Sequence, residues 1–329
     1  PSTFDFKHDK MDTESEAFFA DGTFDLSDTT RLSLGVRRTT DEFTSKQDNF
    51  ISILVPMPLI AAQTCDREVV TEYSSTTSRA VLQHDLNADS NVYASFSEGF
   101  KAGGYATYEC TEPYDPEEVT SFELGFKGSL GENTSLNASL FRYDYTDFQV
   151  LQVVGIQTVT RNAGDATVNG LELEALSNIN DSLSINYGLT LLDATYGEFL
   201  NTNGIQPQLG EQQLEGNYLT NAPKVSINLG LNYTSLMSSG SSLTYRANAA
   251  YKSRIYFSEF NEYSQDAYTI VDLNLIWESS DETLRSRFFI KNATDEEYIS
   301  GYLSSATGGG RFGQWGYPRT AGIEIQRNF

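Results

Sequence analysis

The sequence predicts an all-β chain that forms a transmembrane antiparallel β-barrel. Two observations predict this class. Apolar and polar residues alternate over many segments, and the segments are joined alternately by short turns and long loops. A period of two puts successive side chains on opposite faces of a strand. No segment shows a helical period of comparable length.

The clearest alternation lies in residues 225–233. The apolar residues there are Val225, Ile227, Leu229, Leu231 and Tyr233, and the residues between them are Ser226, Asn228, Gly230 and Asn232. Residues 122–127, 171–175, 183–191, 243–251 and 271–277 repeat the pattern. A mid-membrane Arg or Lys facing lipid costs about 2–4 kcal/mol. We therefore expect the apolar row to face lipid and the polar row to face the lumen.

Thirteen strands are predicted. Their spans are 14–25, 30–40, 76–88, 91–100, 118–130, 133–153, 157–179, 182–196, 217–233, 242–256, 267–278, 284–293 and 317–329. Long loops are expected at about 41–76, 101–117, 197–216, 257–266 and 294–316, and tight turns at the other strand ends. This segregation is typical of outer-membrane barrels, whose turns are periplasmic. Because an odd number of strands cannot close an antiparallel barrel, we expect further strands upstream.

Composition excludes several other classes. The 329 residues carry a net charge of -23, which argues against nucleic-acid binding because phosphate recognition needs clustered Lys and Arg. The most apolar segment, Ile51–Ala62, is interrupted by Pro56 and Pro58 and is shorter than the roughly 20 residues of a spanning helix. The chain begins at Pro1 with no signal peptide, so we expect a processed fragment or an incomplete chain.

Four segments resemble sequences of TonB-dependent receptors. They are Val92–Tyr105 (VYASFSEGFKAGGY), Asn162–Glu174 (NAGDATVNGLELE), Ile290–Tyr298 (IKNATDEEY) and Tyr317–Phe329 (YPRTAGIEIQRNF). The resemblance spans essentially the whole chain in order, and it implies that residues 1–329 are the C-terminal part of the receptor barrel. Such barrels have about 22 strands and a plug. The plug and about nine strands would then be absent from this chain, or a second chain would supply them.

The resemblance also implies a function. It is import of a scarce ligand across the outer membrane, most simply a ferric siderophore or another iron complex, driven by the TonB–ExbB–ExbD complex. Cobalamin and oligosaccharide importers share the barrel, so these ligands remain alternatives. A passive diffusion porin and a structural or adhesive barrel are alternatives from other classes. No cofactor is expected.

Residues in the predicted extracellular loops could receive the ligand. They are Tyr105, Tyr108, Tyr114, Arg254, Tyr256, Phe257, Phe260, Tyr263, Arg311, Phe312 and Trp315. Aromatic rings together with guanidinium groups suit a bulky, planar, partly anionic ligand such as a ferric chelate. The alternative is that these residues form the upper aromatic girdle and pack the loops against one another.

The remaining reactive residues give no catalytic motif. His8 and His84 form no triad or metal cluster with the cysteines at this spacing, so the chain is not expected to be an enzyme. Cys65 and Cys110 both lie in predicted loops on the oxidising side, which favours a disulfide over two free thiols. Gly308–Gly313 (GGGRFG) lacks the Lys-Ser/Thr ending of a phosphate loop and is expected to be an extracellular loop.

Overall fold

The computed structural model describes residues 10–49, 65–105, 113–154, 157–162, 164–203, 206–305 and 310–328. This part of the chain is almost entirely β-structure, with one short 3-10 turn at Pro207–Leu209. Among the described residues, none of the helical structure is long and apolar enough to cross a membrane.

Thirteen strands form one antiparallel sheet. They are β1 (Lys10–Ser27), β2 (Thr30–Asn49), β3 (Cys65–Asn87), β4 (Ser90–Lys101), β5 (Glu117–Leu130), β6 (Thr134–Thr146), β7 (Ala166–Asn180), β8 (Leu183–Tyr196), β9 (Val225–Leu236), β10 (Ser242–Lys252), β11 (Tyr268–Glu278), β12 (Leu284–Lys291) and β13 (Thr320–Arg327). Each strand pairs with its neighbours in chain order, so β1 and β13 form the two edges of the sheet. The predicted number and order of strands are confirmed.

The long connections contain four short hairpins outside the main sheet. They pair Gln149–Val154 with Gln157–Asn162, Leu200–Thr202 with Glu211–Gln213, Ile255–Tyr256 with Ser264–Gln265, and Ile299–Ser305 with Gly310–Trp315. The opposite end of the sheet carries only tight turns, such as those between β1 and β2 and between β7 and β8. The predicted segregation of turns and loops is confirmed.

Several predicted strand ends are wrong. The predicted loop 41–76 is largely strand, because residues 41–49 of β2 pair one by one with residues 65–73 of β3. The predicted strands 133–153 and 157–179 are each interrupted. β6 ends before Asp147, which has a positive φ of 52°, and residues 164–165 lie between the short strand Gln157–Asn162 and β7. The strands predicted to begin at 217 and 317 begin after Pro223 and Pro318, which have no N–H to donate to a neighbouring strand.

One face of the sheet carries an apolar surface in register across the strands. One cross-strand row consists of Leu32, Leu82, Ala94, Leu124, Leu140, Leu171 and Leu191. These side chains have no protein layer over them: Leu124, for example, is 61% exposed. Facing water, such a surface would be unfavourable by about 25 cal/mol per Å². The exposed row therefore fits a wall in contact with lipid.

The register is strongly staggered. A row of directly paired residues runs from Thr30, at the turn end of β2, to Tyr251, at the loop end of β10. A row perpendicular to the strands therefore climbs from one end of the sheet to the other over nine strands. Strands that tilt in this way are a geometric requirement for closing a sheet into a barrel.

The opposite face of the sheet is polar. In its wall, Arg287 donates to Asn274 at 2.8 Å, and its guanidinium lies 3.4 Å from the Glu324 carboxylate. Tyr93 lies across Gly125, where an added Cβ would come within 2.3 Å of the tyrosine ring. Glycine at position 125 therefore makes room for the aromatic ring. The polar row predicted for the lumen occupies this face.

Two irregularities in the alternation have structural explanations. His84 shares the apolar face but lies at its turn end, where its Nδ1 is 2.9 Å from the Thr30 hydroxyl, so its polar atom has a partner. In β6 the outward row changes from Leu140 to Arg142, whose guanidinium binds Asp144 at 2.6 Å. The mixed parity of 141–145 thus marks where the outward face stops being apolar.

Candidate ligand-binding surface

The long connections gather at one end of the sheet. We call five of them the loop collar: residues 102–116, 147–165, 197–224, 253–267 and 292–319, which join β4–β5, β6–β7, β8–β9, β10–β11 and β12–β13. Each of these connections contacts the next in the described residues. The described parts of the collar are thus in contact from the first connection to the fifth, and these contacts decide which of their side chains remain accessible.

Asn162 joins the first two connections of the collar. Its side-chain amide donates to the carbonyls of Asp115 at 2.9 Å and Asp147 at 2.8 Å, and its Oδ1 accepts from the Asp115 amide at 2.7 Å. Gln149 adds a bond from Nε2 to the Ala102 carbonyl at 3.0 Å. One asparagine therefore satisfies three backbone groups that have left their strands, which fixes the two loops to each other.

A small apolar core joins the second and third connections. Tyr196, Phe199 and Leu214 are buried together, and Phe148 and Phe260 from neighbouring connections pack against them. The Gly197 amide also donates to the Asp165 carbonyl at 2.7 Å. No single loop could bury these aromatic rings by itself. Their burial requires the second, third and fourth connections together.

Amides and carboxylates join the third and fourth connections. Asn201 donates to Glu259 at 3.1 Å, and Asn203 donates to Glu262 at 3.1 Å. Asn261 accepts from the Tyr218 amide at 2.8 Å. The Tyr218 ring stacks on Tyr256 from the fourth connection, with centroids 5.8 Å apart. The fourth connection is thus held along most of its length.

Aromatic stacking joins the fourth and fifth connections. Phe257 and Tyr263 both stack on Tyr302, with ring centroids 6.0 and 5.0 Å apart. The Ile299 amide donates to Gln265 Oε1 at 2.8 Å. Stacked rings of this kind add roughly 0.5–1.5 kcal/mol per pair beyond the area they bury.

The fourth connection contains two ionisable groups whose pKa values are shifted. Burial raises the pKa of the Glu259 carboxyl, and the nearby Glu262 carboxylate raises it further. The Arg254 guanidinium donates to Asp266 at 2.8 and 3.0 Å, and this pairing raises the pKa of Arg254. The described residues contain no group of three or more His, Cys, Asp or Glu placed to hold a metal ion.

Most of the predicted ligand residues pack within the collar. Tyr105 is buried and its hydroxyl contacts Thr71 of β3, while the Tyr114 carbonyl accepts from the Tyr73 hydroxyl at 2.9 Å. Tyr256, Phe257, Phe260 and Tyr263 make the contacts between loops given above, and Arg254 pairs with Asp266 within the fourth connection. Phe312 and Trp315 remain accessible, at 58% and 67% exposure.

The other predicted site residues are only partly described. Tyr108 and Cys110 lie outside the described residues. Arg311 is on the strand Gly310–Trp315, and Cys65 is the first residue of β3 and not in a loop. The ligand-binding roles and the disulfide therefore stay predictions.

Sequence reasoning missed several residues that organise the collar. Asn162 and Asn292 were inside segments recognised only by resemblance, and the Glu259 and Tyr302 side chains were not singled out at all. The one local signal for Asn162 and Asn292 is an asparagine at a strand end. Its side-chain amide can bond backbone groups that have lost their strand partners there. The long-range partners of Glu259 and Tyr302 leave no local signal.

The comparisons with known proteins agree with this architecture. A family model described as TonB dependent receptor-like, beta-barrel matches residues 1–293. The chain belongs to the TonB-dependent receptor family. It is therefore an outer-membrane β-barrel segment of a receptor family and not an enzyme, and the resemblance to this family is confirmed.

Individual TonB-dependent receptors match over part of their length. The ferric-pyoverdine 358 receptor of Pseudomonas putida is 23% identical over 97% of this chain and 36% of that receptor. The ferrioxamine B receptor of Salmonella typhimurium (strain SL1344) is 22% identical over 69% of this chain and 31% of that receptor. The ferric yersiniabactin uptake receptor FyuA of Yersinia pestis has the same fold, with a TM-score of 0.81 and 21% identity over 98% of this chain and 46% of FyuA. The chain thus spans about a third of these curated relatives and under half of FyuA.

Proposed function

We propose that the receptor containing this chain imports a ferric chelate, such as a ferric siderophore, across the outer membrane. In this proposal the loop collar faces the exterior and captures the ligand. A plug domain closes the lumen until TonB, energised by ExbB and ExbD, displaces it. Family membership supports the dependence on TonB. Relatives that are receptors for ferric pyoverdine, ferrioxamine B and ferric yersiniabactin support the choice of iron.

One structural observation carries the proposal. The collar lies at one end of a wall that is apolar outside and polar inside, and it leaves Phe312 and Trp315 accessible while most other collar aromatics pack against one another. A preformed, partly aromatic surface above a polar lumen is suited to a bulky ligand that must then pass inward.

The test measures binding and uptake of radioactive iron chelates by cells that carry the intact receptor, with and without TonB. Saturable uptake that disappears without TonB supports the proposal. The double substitution Phe312→Ala and Trp315→Ala should weaken binding of the ferric chelate by about tenfold or more, because each ring contributes contact area to the ligand. Phe24→Ala, which removes an exposed aromatic at the turn end of β1, is the matched control and should leave binding unchanged.

Other outcomes distinguish the alternatives. Uptake that rises linearly with concentration and does not need TonB would indicate a passive porin. Saturable TonB-dependent uptake of cobalamin or an oligosaccharide, with no uptake of any ferric chelate, would leave the receptor assignment intact and refute the choice of iron.

A further inference from the structure

The loop collar has a large excess of negative charge. Its five connections contain fourteen Asp and Glu residues but only five Lys and Arg residues. Several of the carboxylates are on the surface: Glu198, Glu211, Glu215, Glu262 and Glu297 are all exposed. Summed fields of this kind attract ligands of opposite charge and can raise their association rates by about 10- to 1000-fold.

Among the described residues, four cations of the collar already have partners. Arg254 is paired with Asp266, and Arg319 lies 3.3 Å from the Asp295 carboxylate. Lys224 lies 4.0 Å above the ring centre of Tyr218 and is hydrogen-bonded to the hydroxyl of that residue. Arg161 also has a partner. An anionic ligand would therefore have to displace an existing partner from each of these cations.

The accessible aromatic rings favour the same class of ligand. Phe312 and Trp315 are largely exposed on the hairpin Ile299–Ser305 and Gly310–Trp315. The faces of aromatic rings carry partial negative charge and attract cations, by about 0.5–1 kcal/mol at exposed sites. This feature is independent of the carboxylates, yet both select for positive charge.

We infer that the collar selects ferric chelates that carry a positively charged group, such as an ammonium, over anionic ones. The inference rests on the proposed import of ferric chelates and narrows its substrate class. Carboxylates of the third and fourth connections supply the long-range attraction, and Phe312 and Trp315 supply a surface on which the ammonium group can rest. A partly anionic ligand, which the aromatic rings and guanidinium groups together led us to expect, is disfavoured because Arg161, Arg254 and Arg319 already have partners.

The test uses three probes that share one iron centre. They are a ferric trihydroxamate with a free ammonium group, its N-acetylated neutral form and its N-succinylated anionic form. Association with the intact receptor is measured at low and high salt. We expect the cationic form to associate about tenfold faster than the anionic form at low salt. The difference should largely disappear near 1 M salt, where the screening length falls to about 3 Å.

Matched variants locate the effect. The triple substitution Glu198→Gln, Glu211→Gln and Glu215→Gln should reduce the preference for the cationic probe severalfold, since it removes three exposed charges from the third connection. The control is Asp28→Asn, Asp89→Asn and Asp181→Asn, which removes the same charge from tight turns at the opposite end of the sheet. We expect this control to leave the preference unchanged.

Two failures are distinguishable. Equal or faster association of the anionic probe would overturn the charge selection while leaving iron import in place. Absence of binding and uptake for all ferric chelates, whatever their charge, would remove the proposed function and this inference together.

Discussion

Asn292 and Tyr317 are joined by a hydrogen bond that closes the last long connection. The Asn292 side-chain amide donates to the Tyr317 carbonyl at 3.1 Å and to the Glu296 carbonyl at 2.9 Å. Its Oδ1 accepts from the Glu296 amide at 2.8 Å, and the residue is only 4% exposed. One buried side chain therefore holds the end of β12 against the segment that enters β13. Asn292 and Tyr317 are 25 residues apart in the sequence.

This relationship explains two of the segments that resemble TonB-dependent receptors. Asn292 and Asp295 belong to Ile290–Tyr298, and Asp295 accepts from the Arg319 amide at 2.9 Å. Tyr317 and Arg319 belong to the terminal segment. The two sequence patterns are therefore the two halves of one clamp.

We predict that Asn292→Ala opens this clamp. The substitution leaves the Glu296 amide without its partner on the buried Asn292 side chain, and a buried group left unpaired costs about 1–3 kcal/mol. Hydrogen exchange of the Glu296 amide in the intact receptor should accelerate by about tenfold or more. Asn328→Ala, which removes an exposed 3.3 Å bond to the Glu282 carbonyl, is the control and should not change that rate.

We predict that Leu229→Arg impairs assembly into a bilayer far more than Asn228→Arg. Leu229 lies on the apolar outward face and is 49% exposed, whereas Asn228 lies on the polar face of the same strand. An arginine facing lipid near mid-membrane costs about 2–4 kcal/mol. The measurement is the fraction of receptor that folds into lipid vesicles. Equal effects of the two substitutions would contradict the assignment of the lipid-facing row.

We predict that Gly164→Ala separates the second and third collar connections. A Cβ at position 164 would lie 1.4 Å from the Glu198 carbonyl oxygen, so the backbone of one connection must move. Protease cleavage in residues 197–224 should increase severalfold. Gly188→Ala is the matched control, because the nearest atom to its added Cβ would be at an ordinary distance of 3.8 Å. In this control, cleavage in residues 197–224 should stay at the level of the unmodified receptor.

We predict a pH dependence from Glu259. Burial raises its folded-state pKa above the unfolded value of about 4.3, so its contribution to stability is fully present below that pH. The contribution is lost as the pH rises through the folded-state pKa. Glu259→Gln should therefore raise the unfolding temperature of the intact receptor at neutral pH, and the difference should vanish below about pH 4. The substitution of the exposed Glu215→Gln is the control. If the stabilisation by Glu259→Gln grew as the pH fell, the predicted direction of the pH dependence would be wrong.

The strand positions were predictable because their cause is local. Odd and even positions of a pleated strand face opposite sides of the sheet. The alternation in residues 225–233 therefore predicts which side chains of β9 face lipid, even when the neighbouring strands are unknown. The continuation of β2 to Asn49 was not predictable in this way, since residues 41–49 are held by pairing with residues 65–73.

The sequence by itself determined the thirteen strands, their antiparallel order, the end that carries the long loops and the faces that meet lipid and lumen. Only the tertiary structure decided which loop residues are accessible. Tyr263 and Phe312 look equivalent in the sequence, yet Tyr263 stacks on Tyr302 and Phe312 stays exposed. The physical reason is range: alternation depends on a neighbour two positions away, whereas loop packing depends on partners tens of residues distant, which the register of the sheet brings together.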